Sequence, residues 1–433
     1  MGPSHLLPSL ALLCFSLIPN QVCKTCEVSE ENYFRLNPLL NTMTDSKYTT
    51  GSHSADILLS LRLVGLQNQT LIQPLSQQVK KEVRRKGLNL SLGRLALVTL
   101  ALGACQTPDE NFIHDNHLLG HLENKLQAEI GNMKAHDGSP LTNYFQLSLG
   151  ILALCLFHGQ YSTTQVAELF APENKNYYFH GNFSVDTGAM AVLALMCVKR
   201  GLINGQTKTD KKDLRSIDEH IQSLVEKLLS EKKEGGLIGN TFSTGIAVQA
   251  LFIAPHYYKE RDWNCRQTLD TILREISQGA FTTPIAAAQI LPTLVGKTYL
   301  DVSRGSSCAS GLGNFNISGH EPEPTTPPNS PSNITVHFSV KIRETYSTTV
   351  TVPKGSVFLA VMEEAQKKNE TVFGFTVEQS SWGPYVTSVQ GLKANNNDRT
   401  YWELRSGGRS LSQGVGSYVV HDGESLEIRW SKY

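Results

Sequence analysis

VDTGAMAVLAL (Val185–Leu195), FSTGIAVQALF (Phe242–Phe252) and FTTPIAAAQIL (Phe281–Leu291) are three versions of one segment. Each begins with Ser/Thr-type residues that can cap a helix start, then continues into small and aliphatic side chains. NYFQLSLGILAL (Asn143–Leu154) is a looser relative. A helix that is apolar nearly all round must be buried on every side. Leu141–Phe157 and Val185–Val198 read this way, with Gly159 and Gly201 as their stops. Ser216–Lys233 is different: Ile217, Ile221, Leu224 and Leu228 form one stripe with charges opposite. Ser216 and Glu219 are expected to open that helix as a capping box, and Gly235-Gly236 to end it. Buried helices recurring every roughly 40–57 residues, alternating with amphipathic ones, predict a repeated helical hairpin. An α/α toroid of the α6/α6-barrel type buries every inner helix. An open solenoid is the alternative, and it leaves the end helices exposed.

If the inner helices run parallel around a ring, their starts gather at one mouth. Thr142, Gln146, Asp186, Thr187, Asn240 and Thr244 then converge there, with Gln289 further into its helix. The plainer reading makes Asp186 and Thr244 helix caps and nothing more. Polar starts repeated on otherwise apolar helices favour a shared pocket.

The 433 residues are enough for two domains of unequal size. Basic and acidic residues balance at 39 each, which leaves no electrostatic footprint for nucleic acid or an anionic membrane. Leu6–Ile18 is an apolar stretch too short to span a bilayer and fits the core of a secretory signal peptide, residues 1–23. With Cys14 and Cys23 removed, six cysteines remain: Cys26, Cys105, Cys155, Cys197, Cys265 and Cys308. An even number in an oxidising compartment reads as disulfides, whose connectivity spacing alone leaves open. Glycosylation sequons stand at Asn68, Asn89, Asn316, Asn333 and Asn369; a formal one at Asn182 is expected to go unused. GHEPEPTTPPNSPS (residues 319–332) is a proline-rich linker between a helical domain (24–318) and a small β domain (333–433) with one helix. In the latter, Ile334–Arg343, Tyr346–Val352, Phe373–Val377, Val386–Val389, Tyr401–Leu404 and Tyr418–Trp430 read as strands around a helix at Ser356–Lys368. That order suggests a β-grasp-like fold.

Catalytic signatures are absent: no nucleophile elbow, zinc-protease pair, phosphate loop or dinucleotide fingerprint. His114, His117 and His121 fall on successive turns of a possible helix, and a solvated face explains them better than a metal. SSWGPYVTSVQG (Ser380–Gly391) and NNNDRTYWELRSGG (Asn395–Gly408) set Trp382, Tyr385, Tyr401 and Trp402 in loop-like or edge settings. Large apolar faces with polar tips suit ligand contact, although Tyr401 reads equally well as core.

LTNYFQLSLGILALCL, FSVDTGAMAVLALMCV, LIGNTFSTG, AAAQILPTL and NNNDRTYWEL resemble the vertebrate cobalamin carriers, a family of haptocorrin, intrinsic factor and transcobalamin. The likeness runs from CEVSEENYFRLNPLLNTM to EIRWSKY and is closest to the haptocorrin branch. It implies an α/α barrel linked to a small β domain, with cobalamin buried between them. The corrin rim carries neutral amides, which need uncharged hydrogen-bonding partners. The resemblance carries over Thr142, Tyr144, Gln146, Asp186, Asn240 and Gln289, and from the β domain Trp382, Tyr385, Trp402 and Leu404, some through backbone groups. It implies the disulfides Cys26–Cys265, Cys105–Cys308 and Cys155–Cys197. Two departures stand out. Ser388 and Lys393 occupy the places of a further cysteine pair, and Phe183 that of a cobalt-coordinating histidine, with His180 three residues earlier. The chain is thus expected to be a secreted, monomeric carrier of cobalamin and its analogues with no protein ligand on cobalt, not an enzyme. It should bind no nucleic acid and insert in no membrane; its receptor is unknown. The alternatives are an intrinsic-factor-type carrier and, further off, a toroidal glycan or isoprenoid enzyme.

Overall fold

The structure, a computed structural model, describes residues 26–44, 53–66, 68–105, 109–179, 181–205, 211–281, 283–303, 333–380, 383–395, 398–411, 413–416 and 418–432. The expected signal peptide and linker, Cys308, Asn316, His180 and Trp382 lie outside them.

The first domain is helical. In chain order it contains α1 (Asn37–Thr44), α2 (Ser54–Leu63), α3 (Gln69–Lys86), α4 (Leu92–Gly103), α5 (Glu110–Asp115), α6 (Leu118–Ala135) and α7 (Tyr144–Leu156). There follow α8 (Thr163–Leu169), α9 (Val185–Ile203), α10 (Lys211–Ser230), α11 (Ser243–Ile253), α12 (Cys265–Ser277) and α13 (Pro284–Leu294). Every residue of α4 is buried, as is every residue of α11 except Phe252. The apolar helices α2, α4, α7, α9, α11 and α13 pack each on the next, and α13 packs back on α2. They close a ring, and the toroid is the fold observed. Amphipathic helices lie outside: α10 turns Ile217, Ile221, Leu224 and Leu228 inward, as its stripe predicts.

Neighbouring inner helices run parallel. Ser91, at the start of α4, donates to Gln146 in the first turn of α7 (3.0 Å), and Arg94 in α4 reaches Asp56 in the first turn of α2 (3.4 Å). Ser91, Asn143, Ser184 and Thr283 cap four of these helices by accepting the amide three residues on. At α11 Asn240 does the same work, accepting the amides of Phe242 (2.8 Å) and Ser243 (2.9 Å).

Several element ends differ from the sequence reading. α10 begins at Lys211, so Ser216 is interior and bonds His220 (3.1 Å) instead of capping. α9 runs through Gly201 to Ile203, because packing rather than propensity holds a buried helix; Gly205, at φ +71°, follows its end. His114 and His121 belong to different helices, with His117 between them in the left-handed region at φ +50°, so the three do not share one helical face.

Cys155–Cys197 joins α7 to α9, and Cys26–Cys265 ties the N-terminal segment to α12. Cys105 is disulfide-bonded as well; its expected partner Cys308 is outside the described residues.

The second domain begins with β3, so numbered because β1 (Tyr178–Phe179) and β2 (Asn182–Phe183) form a small hairpin before α9. Its elements are β3 (Asn333–Lys341), β4 (Thr345–Pro353), α14 (Phe358–Lys368), α15 (Glu370–Phe373), β5 (Phe375–Ser380), β6 (Gly383–Val389), β7 (Leu392–Lys393), β8 (Thr400–Ser406), β9 (Arg409–Ser410) and β10 (Ser425–Lys432). One sheet has the order β4-β3-β10-β8-β9, with the first and last long strands parallel at its centre; β5-β6-β7 is a second. α14 packs on β3 and β4 through Phe358, Val361, Met362 and Ala365. This is the β-grasp-like arrangement expected, with two corrections. Phe373 ends a helical turn instead of opening a strand. Val419 makes a single bridge to Val357, and the last strand starts only at Ser425. Ser388 and Lys393 face each other across the β6–β7 pair, so backbone pairing alone closes that hairpin.

Replacing both Cys155 and Cys197 by serine frees a connection with a sequence separation of 42. Loop-closure entropy puts the loss at about 4 kcal/mol. Urea unfolding of the double variant beside the parent protein measures it.

Candidate functional site

The starts of the inner helices carry polar groups whose hydrogen-bonding capacity is half committed to the protein. Gln146 Oε1 accepts from Ser91, while its Nε2 makes no hydrogen bond among the described residues. Asn240 gives its Oδ1 to the α11 cap and leaves Nδ2 to donate. Thr142 donates its hydroxyl proton to Glu129 Oε1 (2.7 Å), and its amide to Oε2 (3.1 Å). Asp186 follows the Ser184 cap at the start of α9 and does no capping itself. Its Oδ1 is buried with no partner, and that burial pushes the carboxyl up to about 7. Gly239, at φ +71°, lies against Val185 and so sets Asn240 beside the start of α9. Gln289 lines a cavity of about 20 Å³ with Asp56, Ser60, Phe145 and Tyr299, room for one water beneath the mouth.

The mouth therefore offers both donors and acceptors, all on short tethers and without an unpaired cation among these groups. It can hold a ligand whose rim alternates C=O and N–H groups.

Other expected contacts are placed differently. Tyr144 is 1% exposed, packed edge-on to Tyr177, and its hydroxyl donates to Leu169 O (2.9 Å) while accepting from Asn174 (2.6 Å). Its side chain braces the segment 169–177 instead of facing the mouth. Thr187 and Thr244 are buried; Thr244 accepts from the Ile238 amide (3.0 Å) and donates to Asn240 O (2.7 Å). In the β domain Trp402 is core: its ring lies 5.0 Å from that of Trp430 and its Nε1 donates to Leu392 O (3.3 Å). Leu404 packs on the same core, with its carbonyl bonded by Leu411 (2.8 Å). The Trp402 side chain is thus committed to the core, whereas Leu404 stays partly exposed. Tyr385 is 46% exposed and donates to Glu378 (3.0 Å).

Three features escaped the sequence reading. Leu141 and Phe179, 51% and 41% exposed, put apolar surface beside the polar starts of α7 and α9. Phe183 presses the tip of its ring against Gly188, where any Cβ would meet Cζ at 2.3 Å. Asp137, in the loop before α7, is held below the ordinary carboxylate range by Lys175 and, more weakly, by Arg399 of the β domain. The sequons Asn68, Asn89, Asn333 and Asn369 are all exposed, as is Asn182 beside the mouth. Among the described residues no helix is long and apolar enough to cross a membrane, and no group of three or more His, Cys, Asp or Glu is placed to hold a metal ion.

A closed helical ring with a half-satisfied polar mouth, joined to a small β domain, is the class of architecture that these elements define. The eukaryotic cobalamin-binding protein family matches residues 8–329, and a domain of unknown function matches residues 355–432. The chain is 64% identical to Transcobalamin-1 of Homo sapiens over the full length of both chains. It is 33% identical to the cobalamin binding intrinsic factor of Homo sapiens, covering 95% of each. The crystal structure of haptocorrin in complex with Cbi superposes with a TM-score of 0.86 at 62% identity, over 95% of this chain and all of that one. This chain belongs to the eukaryotic cobalamin-binding protein family.

Two measurements probe the mouth. A Cβ at Gly93 would meet Gln146 Cγ at 2.5 Å. Gly93→Ala should therefore displace Gln146 and weaken ligand binding by about tenfold, and, because the clash lies in a buried helix contact, overpacking should also cost about 1–3 kcal/mol of stability; a titration and a thermal melt read the two separately. Asp186 titrates near 7 when folded and at 3.8 ordinarily, so its contribution favours the folded, ligand-free protein below pH 3.8 and is lost as pH rises to about 7. Asp186→Asn should flatten that fall in melting temperature between pH 4 and 8.

Proposed function

We propose that this chain is a secreted, haptocorrin-type carrier that binds cobalamin and cobalamin analogues and buries the corrinoid between its two domains. The observation that carries this is the mouth itself. Gln146 Nε2 and Asn240 Nδ2 can donate, and Asp186 Oδ1 and the Thr142 hydroxyl oxygen can accept. Primary carboxamides around a corrin rim present a C=O and an N–H together, and so meet both kinds of group without net charge. The orphaned Asp186 oxygen is the strongest single fit, because a ligand N–H removes the cost of leaving it unpaired. High affinity then follows from large buried area and a site arranged in advance, with Leu141 and Phe179 adding apolar contact.

Domains are divided at the proline-rich segment 319–332, which lets the β domain move away to admit ligand. Trp382 and Tyr385 are the β-domain side chains assigned to the ligand; Trp402 and Leu404 act through their backbones. Cobalt takes no protein ligand, since Phe183 fills the place of a histidine. The apolar stretch Leu6–Ile18, the disulfides and the exposed sequons support export and glycosylation. Identity of 64% with human Transcobalamin-1 against 33% with the human cobalamin binding intrinsic factor favours the haptocorrin type over an intrinsic-factor-type carrier for receptor-mediated uptake. Carriage, with no chemical step, is the activity assigned.

Secreted protein incubated with aquocobalamin and passed through gel filtration should carry the corrin absorption bands at one ligand per chain. Absence of corrin from folded, disulfide-bonded protein would refute carriage. A histidine-type spectral shift would refute the uncoordinated cobalt and implicate His180.

A further inference from the structure

Glu129 stands on the outer helix α6 and is only 2% exposed, so a ligand in the mouth does not reach it. It breaks the apolar stripe of Leu122, Leu126, Ile130 and Met133, which faces inward. Its carboxylate receives the Thr142 hydroxyl at 2.7 Å, the Thr142 amide at 3.1 Å and the Leu141 backbone. Burial raises the pKa of Glu129, and the three donors that converge on its carboxylate act against that rise and suit the ionised, acceptor-only form.

A threonine hydroxyl has one proton and two lone pairs. With the proton directed to Glu129, Thr142 Oγ1 offers lone pairs only to any other group that approaches it. We propose that Glu129 fixes Thr142 as an obligate acceptor, so that this position selects a primary amide on the ligand and rejects the corresponding carboxylate. The proposal rests on the corrinoid reading of the mouth and names one of its specificity devices. Glu129 acts through Thr142 and is a positioning residue. An amide N–H pairs with Oγ1, whereas a carboxylate would set acceptor against acceptor beside a buried negative charge, with no proton to place between them.

Glu129→Gln reverses the polarity with little change of shape. The glutamine oxygen can keep the Thr142 amide, while its NH2 takes the place of Oε1 and donates to Thr142 Oγ1. The hydroxyl proton is then released toward the ligand.

The test uses the full-length protein at pH 7.5 with four probes: cobalamin and the three isomeric monocarboxylic acids made by hydrolysing one propionamide of its ring. The parent protein should bind one isomer at least about tenfold more weakly than the other two. Glu129→Gln should recover that isomer by about tenfold and move the other three probes by less than about threefold. Thr142→Val should remove the discrimination, and adding Glu129→Gln to it should change nothing more. Thermal melts establish that each variant is folded; if Glu129→Gln is not, Thr142→Val alone decides.

The proposal is overturned if the parent protein binds all three isomers alike. It is also overturned if Glu129→Gln weakens the four probes equally, as a simple brace would, or if Thr142→Val leaves the pattern intact. Failure of the parent protein to bind cobalamin itself would overturn the corrinoid reading, a separate outcome.

Discussion

A helix without a polar face has nowhere to sit except among other helices, and that constraint shapes the whole first domain. α4 buries its entire circumference, and α7, α9 and α11 nearly so. A row of such helices leaves two exposed ends; only contact of α13 with α2 removes them. Each buried leucine, isoleucine or valine is worth about 1.5–3 kcal/mol, so an unclosed seam between α13 and α2 forfeits an amount comparable with the whole stability of an ordinary domain. The N-terminal segment reinforces the seam, since the Val28 amide donates to Leu294 at the end of α13 (2.8 Å).

Closure gathers six sets of unpaired amide groups at one rim, and the rim's chemistry follows. Helix starts need acceptors, so Ser91, Asn143, Ser184, Asn240 and Thr283 are there for structural reasons. Once the amides are satisfied, Gln146 Nε2, Asp186 Oδ1 and Asn240 Nδ2 are left without a hydrogen-bond partner among the described residues. A ligand site made this way uses groups that the fold already requires close by. It also explains the cost at Asp186, whose Oδ1 is buried without a partner while burial raises the pKa of its carboxyl.

The repeated segments made α7, α9, α11 and α13 legible in the sequence, and with them the toroid. α2 and α4 escaped because Ser60, Arg62 and Arg94 interrupt their apolar runs, yet all three are buried. Arg62 donates to the carbonyls of Ala101 (2.6 Å) and Leu102 (3.0 Å), and Arg94 pairs with Glu82 (2.5 Å); such long-range partners have no local signal. The same limit governed the site. Polar residues at helix starts could be read, but whether a tyrosine tip or an indole nitrogen is already bonded depends on distant carbonyls. Hence nothing local in the sequence shows that the Tyr144 hydroxyl is bonded to Leu169 O and the Trp402 indole to Leu392 O. Glu129 did leave a trace, an acid within an apolar stripe, but its partner Thr142 is fixed only by the folded chain.

Cys308 is the last cysteine in the sequence, and Cys26 is bonded to Cys265. A protease that cuts the ring once between those two bonded residues leaves the pieces covalently joined, held also by their packing. A single cut within residues 319–332 has no such remedy: it parts the β domain from the ring as a separate fragment. Survival in a protease-rich fluid therefore turns on how poorly that short stretch serves as a substrate. Five prolines in GHEPEPTTPPNSPS, which most endoproteases accept badly beside the scissile bond, are an answer written in composition rather than in fold.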